Sequence, residues 1–313
     1  TAFPVFFAVI ENDLRRVLSF SLNNQLGFMV VGIGIGTELS LNGTVAHAFV
    51  HIIYKALLFM SMGAVLHRVG TTKASELGGL YKYMPLTTIF CIVGAMSISA
   101  FPLFSGFVAK SLIMSALGGQ GLILIYFILF FASAGVLEHS GIKIPYFAFF
   151  AHERKTKVKE APFNMLLAMG IAALLCIGIG VYPKYLYSIL PYAVDYQPYS
   201  IDHIVSQLQL LVFAILAFLF LVKFNLYPSE IKSTVLNSDW FYRKMLPGIG
   251  KPLFKTLSFI INEIYSLIAF LFKLSLGKTK SFTQVHYIKV TSPGFAALVL
   301  ILILFLMLLI AVI

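Results

Sequence analysis

The chain has 313 residues, 59% of them hydrophobic and only 11% charged, with a mean hydropathy of +0.93. Soluble domains run nearer half apolar and a quarter charged, so a water-soluble globular protein is excluded and a lipid bilayer is the expected solvent. The formal charge of +11 does not mark a nucleic-acid binder. Lys and Arg fall in the short polar connections rather than on one face or tail, as they do under the positive-inside bias of cytoplasmic loops.

In chain order, residues 1–16 read as the remnant of an upstream helix followed by a cytoplasmic loop. Apolar runs broken by polar, Gly or Pro punctuation then predict crossings at 18–36, 44–66, 86–117, 121–143, 164–182, 208–223 and 294–313. The glycines of VGIGIG (Gly32, Gly34, Gly36) follow no strand, so they signal close helix packing or fraying rather than a dinucleotide loop. Asn42-Gly43-Thr44 matches a glycosylation acceptor only by accident.

In the second crossing, HAFVHIIYK sets His47, His51 and Lys55 at i, i+4 and i+8, a drift of about 80° around a helix. They form one polar stripe with Lys55 at its middle. An ionisable group costs about 2.5–3.5 kcal/mol at the centre of a span on insertion scales. Lys55 is too deep to snorkel, so it must find a partner, find water or release its proton. Imidazoles one turn apart can pass protons along, because each ring both donates and accepts. The plain alternative is a polar seam that binds neighbouring helices.

The third run is too long for one unbroken helix, which over its roughly 32 residues would measure about 48 Å. Its middle, SISAFPLFSGFVAK, gathers Pro102, Gly106, Ser97, Ser99 and Ser105 just before Lys110. Pro102 has no N–H and disfavours helix at Phe101, so carbonyls there lose their partners. Such backbone is tolerated only where protein shields it from lipid. A simple kink is the alternative, but it leaves Lys110 unexplained.

Loop charge decides whether this run crosses once or twice. One interrupted crossing keeps Asp13–Arg16, 67–83 and 143–160 on a single basic side, whereas two crossings would send Lys143, Arg154, Lys155, Lys157 and Lys159 outside. One interrupted crossing is therefore expected.

The fourth crossing ends with Glu138, His139 and Lys143, either as plain interfacial groups or as the mouth of a proton pathway. Cys91 and Cys176 lie singly in apolar runs, which supports neither a disulfide framework nor a metal cage. Residues 151–223 are expected to hold two further crossings, joined by an outside loop at 182–207 with only Lys184. Residues 224–292 should be cytoplasmic or interfacial, with an amphipathic helix at 253–273, and 293–313 a last crossing. The expected fold is all-α: a polytopic transmembrane helix bundle with one interrupted helix.

The segments ENDLRRVLSFSLNNQLGFM, HAFVHIIYKALLFMSMGAVL and FPLFSGFVAKSLI, in this order across residues 10–150, resemble the antiporter-like subunits shared by Mrp-type sodium/proton antiporters and respiratory complex I. The likeness is greatest to the D-type subunits of the Mrp branch, with weaker support from GIKIPYFAFFAHE and NSDWFYRK. The resemblance implies that Lys110 is the lysine after the break of the second inverted repeat, and that Lys55, His51 and His47 lie on a central hydrophilic axis. It also implies that a first repeat precedes Thr1. Arg15 stands where the family's DLKR carries Lys, which puts a role for it in proton transfer in doubt.

The expected function is therefore a proton-translocating subunit of a sodium/proton antiporter, with protons relayed by His47, His51, Lys55, Lys110, Glu138, His139 and Lys143. Its expected partners are other membrane subunits, protons, sodium and the bilayer, with no cofactor and no nucleic acid. The expected location is a bacterial inner membrane. Two alternatives stay open: a pumping subunit of a quinone-linked dehydrogenase or membrane-bound hydrogenase, and a non-conducting scaffold with an inert polar seam.

Overall fold

The structure, a computed structural model, describes residues 1–151, 157–224, 226–227 and 240–275, with side chains as far as residue 267. It divides into two units, Thr1–Val235 and Leu236–Ile313. The first unit is a bundle of α1 (Phe3–Ile10), α2 (Leu14–Ile35), α3 (Glu38–Val69), α4 (Pro85–Ile98), α5 (Ser105–Gly119), α6 (Ile123–Phe150), α7 (Phe163–Val181), the short α8 (Lys184–Ser188) and α9 (Ile201–Lys223). No strand occurs among the described residues, so the fold is all-α as expected. Five of these helices, α2, α3, α6, α7 and α9, are long and apolar enough to cross a bilayer. The crossing expected at 294–313 lies outside the described residues, as do Arg154 and Lys155.

Helix starts follow local chemistry. The Asp13 carboxylate accepts from Arg15 N at 2.9 Å and caps α2, and the Thr37 hydroxyl accepts from Ser40 N at 3.2 Å and caps α3. Between α2 and α3 the chain reverses in two residues, which Gly36 permits by taking φ +75°. α3 is the central helix: its buried residues run from Ser40 to Val65 on several faces, and it packs on α2, α4, α5 and α7.

Contacts between loops sort the bundle into two ends. At one end Leu14 N bonds Thr72 O at 2.9 Å, Ala74 N bonds Asn12 O at 2.8 Å and Arg68 Nε bonds Glu160 O at 2.8 Å. There the Glu160 carboxylate also caps α4, accepting from Leu86 N at 2.8 Å and from the Thr87 hydroxyl at 2.6 Å. At the other end Asn42 and Tyr192 exchange two bonds of 3.0 Å, and the Ser115 hydroxyl donates to Tyr196 at 2.9 Å. The chain thus enters α4 at one end and leaves α5 at the other. Together α4 and α5 make one traverse of the bundle, broken at residues 99–104.

Two expectations about element ends are corrected. The crossing expected to stop near 143 continues to Phe150 as a 28-residue helix. Pro145 interrupts its ladder, and the backbone absorbs the fault with π-helical stretches at Leu137–Ile142 and Tyr146–Phe150. The crossing expected from 208 begins at Ile201, where the Ser200 side chain accepts from His203 N at 3.4 Å.

The second unit is described as a π-helical turn, Phe241–Met245, leading into α10 (Leu246–Ser275) with Pro252 inside it. Apolar residues at 246, 249, 253, 257, 260 and 264 share one face, opposite Lys251, Lys255, Ser258 and Asn262. This is the helical periodicity of an amphipathic segment.

Candidate functional site

The interruption between α4 and α5 is where the polar chemistry gathers. In an unbroken helix residue 102 would donate to the carbonyl of residue 98; Pro102 cannot. The Lys110 ammonium donates to that same Ile98 carbonyl at 2.9 Å, so the lysine fills the vacancy that the proline creates. The next carbonyl, of Ser99, accepts from Gln207 Nε2 of α9 at 3.4 Å. Ala100 and Leu103, with φ of 56° and 73°, are the non-glycine residues with left-handed backbone among the described residues, and both fall in the break. Strain of this kind persists only where the surroundings over-determine it. Here the hydroxyls of Ser97 and Ser105 bond at 2.7 Å across the gap, and Gly106 lies so close to the Ser97 carbonyl that a side chain could not fit between them.

Lys110 is 4% exposed and Lys55 is 3% exposed. Both are enclosed by protein rather than turned to lipid. The Lys110 ammonium also lies 5.1 Å from the centre of the Phe28 ring, within the range at which the ring's negative face attracts a cation. No carboxylate pairs with either lysine among the described residues. The Lys55 ammonium has no hydrogen-bond partner among the described residues, so its polar requirement falls on water or on loss of its proton.

The α3 stripe forms as its spacing predicts. His47 and His51 stack at 6.1 Å between ring centres, and the Phe28 ring stacks on His47 at 6.2 Å. His47 Nδ1 and His51 Nε2 are buried without hydrogen-bond partners among the described residues. Tyr54 joins the stripe: its hydroxyl lies 3.4 Å from His47 Nε2 and donates to Gln25 Oε1 at 3.2 Å. Gln25 in turn donates to Asn24 at 2.8 Å. The Phe28 ring thus lies between the Lys110 ammonium and His47, joining α5 to the α3 stripe.

His139 and Lys143 are enclosed by protein, close to the bundle end that carries residues 12–16. The π-helical stretch turns His139 and Lys143 into the bundle, both fully buried, and leaves Glu138 half-buried. The Lys143 ammonium donates to the carbonyls of Val9 at 2.6 Å and Glu11 at 2.8 Å, at the C-terminus of α1, where the helix dipole favours a cation. His139 Nδ1 bonds the Ser140 hydroxyl at 2.8 Å, which donates to Ser21 at 2.9 Å, while Nε2 is buried without a partner among the described residues.

Sequence reasoning missed Tyr54, Gln25 and Asn24, all 0% exposed, and the pair His203 and Gln207. Ionisable side chains in apolar spans were the signal sought; uncharged polar residues in the same spans carry a weaker form of it. No group of three or more metal-ligating side chains occurs among the described residues.

Residues 3–136, which contain the stripe, the break and Lys110, match the family model described as NADH:quinone oxidoreductase/Mrp antiporter, TM. By this similarity the stretch resembles an antiporter-like module of that family. The module is similar to the D-type subunit of the Na(+)/H(+) antiporter of Alkalihalophilus pseudofirmus, 33% identical over 194 residues, covering 60% of this chain and 38% of the relative. It is also similar to the L-type subunit of the F(420)H(2) dehydrogenase of Methanosarcina mazei, 39% identical over 117 residues, covering 34% of this chain and 17% of the relative. The matches span less than two fifths of these curated relatives. Among solved structures, a chain of the Mrp complex from Dietzia sp. aligns with a TM-score of 0.62 at 18% identity, covering 100% of this chain and 33% of that one, which is a likeness of fold. With five helices long and apolar enough to cross a bilayer, the chain is a multi-pass membrane protein.

Proposed function

We propose that this chain is a proton-translocating membrane subunit of a monovalent cation/proton antiporter, with sodium as the exchanged ion, in a bacterial inner membrane. Protons pass along His47, His51, Lys55 and Lys110 at mid-membrane, with Glu138, His139 and Lys143 on the side where Lys143 meets α1. The observation that carries this reading is the pair of enclosed amines, Lys55 and Lys110, neither paired with a carboxylate among the described residues. A protein keeps such costly groups where their protonation is used. When Lys110 carries a proton, repulsion raises the cost of charge on Lys55 and the histidines, so uptake at one place biases release at another. Its partners are other membrane subunits of the same assembly. The likeness to the sodium/proton antiporter relative, over 60% of this chain, favours cation exchange as the coupled process.

A second reading draws on the dehydrogenase relatives: the same module would pump protons in a redox-driven complex. Inverted membrane vesicles carrying the whole assembly separate the two. Sodium-dependent collapse of a pre-formed pH gradient, lost in Lys110→Ala with normal insertion, is the expected result. A gradient that sodium leaves untouched excludes the antiporter, and unchanged exchange in Lys110→Ala removes the lysine from the path.

A further inference from the structure

Beyond the α3 stripe, Lys110 borders a cavity of about 20 Å³, room for a single water. The same cavity is lined by Ser111, Ser133 of α6, and His203 and Gln207 of α9. α9 is otherwise a strongly apolar helix, largely exposed along its length. Of its polar residues at this place, His203 and Gln207 line the cavity, whereas Asp202, Ser206 and Gln209 are exposed. Gln207 ties α9 to the break through the Ser99 carbonyl. His203 packs on Phe107, one turn before Lys110, with ring centres 4.8 Å apart. Its ring is only partly buried, and it belongs to the first turn of α9, immediately after the loop that packs against Asn42 and Ser115. His203 therefore faces Lys110 on one side and the end of the bundle on the other.

We propose that His203, steadied by its stack on Phe107 and by the Gln207 tether, exchanges protons between Lys110 and the bundle end that carries residues 182–200. In this step a water in the cavity accepts a proton from the Lys110 ammonium and passes one of its own to an imidazole nitrogen of His203. One N–H bond breaks at Lys110, one forms at His203, and the water is unchanged. His203 then releases the proton to solvent, and the reverse sequence reloads Lys110. Imidazole suits the task because it takes and gives protons near neutral pH. The inference rests on the relay reading given above, and the test keeps the two apart.

In inverted vesicles carrying the intact assembly, transport by His203→Phe, His203→Ala and Lys110→Ala is compared with wild type. His203→Phe keeps an aromatic ring on Phe107 but cannot carry a proton, and should slow transport by about a hundredfold, the lower end for a positioned proton-transfer group. His203→Ala should be equally slow, and millimolar imidazole should restore it while leaving Lys110→Ala silent. Wild-type transport in His203→Phe with Lys110→Ala inactive overturns the role of His203 and leaves the relay standing. A slow His203→Ala that imidazole does not restore also overturns it, because the histidine then serves packing alone. Full activity in Lys110→Ala as well sinks the relay reading itself.

Discussion

Lys55 carries an ammonium 3% exposed and without a partner among the described residues. Leaving such a group buried costs about 1–3 kcal/mol or more. Lys55→Met keeps the length and packing of the side chain while removing the charge, so it should raise the unfolding midpoint of the purified assembly even as transport fails. A lowered midpoint would mean that the amine is a structural strut. Lys110 differs, because its amine occupies the carbonyl that Pro102 leaves open. The two lysines were legible in the sequence since each is a charge in the middle of an apolar run. Tyr54 and Gln25 were not, because an uncharged polar residue in a span is cheap enough to be commonplace. His203 was hidden for another reason: a run of polar residues before 208 reads as loop, and only the fold turns it into the first turn of α9.

At the scale of elements, the α4–α5 break is held by close approach rather than by proline alone. A methyl group at Gly106 would overlap the Ser97 carbonyl, whereas at Gly63 in α3 it would meet nothing within 4 Å. Gly106→Ala should therefore destabilise by about 3 kcal/mol and reduce the assembled protein in membranes. Gly63→Ala should be neutral or slightly stabilising, since Ala is the better helix former. Equal thermal stability of the two variants, measured on purified assemblies, would contradict this account of the break. The interruption was readable from Pro102, Gly106 and the excess length of the run. The end of α6 was not, because Gly141 and Pro145 look like a stop. Only tertiary packing turns that fault into π-helix and carries the chain on to Phe150.

For the whole molecule, the two ends of the bundle fix its topology. Residues 12–16, 67–76 and 160 meet at one end, and residues 42, 115 and 182–200 at the other. With the positive-inside bias, we propose that the first end faces the cytoplasm. Cys91 and Cys176 are both buried, so single cysteines report cleanly. Lys73→Cys should react with an impermeant maleimide only in inverted vesicles, and Lys184→Cys only in intact cells. Labelling of both from one side would overturn the single traverse by α4 and α5. Loop charge alone led to the same arrangement, which is the part of the global fold most fully legible from sequence. The assignment of residues 293–313 as a further crossing falls beyond the described residues.

The central claim is that Lys55 and Lys110 act in series on one proton path. Sodium-driven proton flux in inverted vesicles, compared among Lys55→Met, Lys110→Met and the double variant, tests it most directly. Steps in series fail together, so each single variant should lose as much flux as the double, a strongly non-additive pattern. Wild-type flux in either single variant, or losses that simply multiply in the double, would contradict the relay.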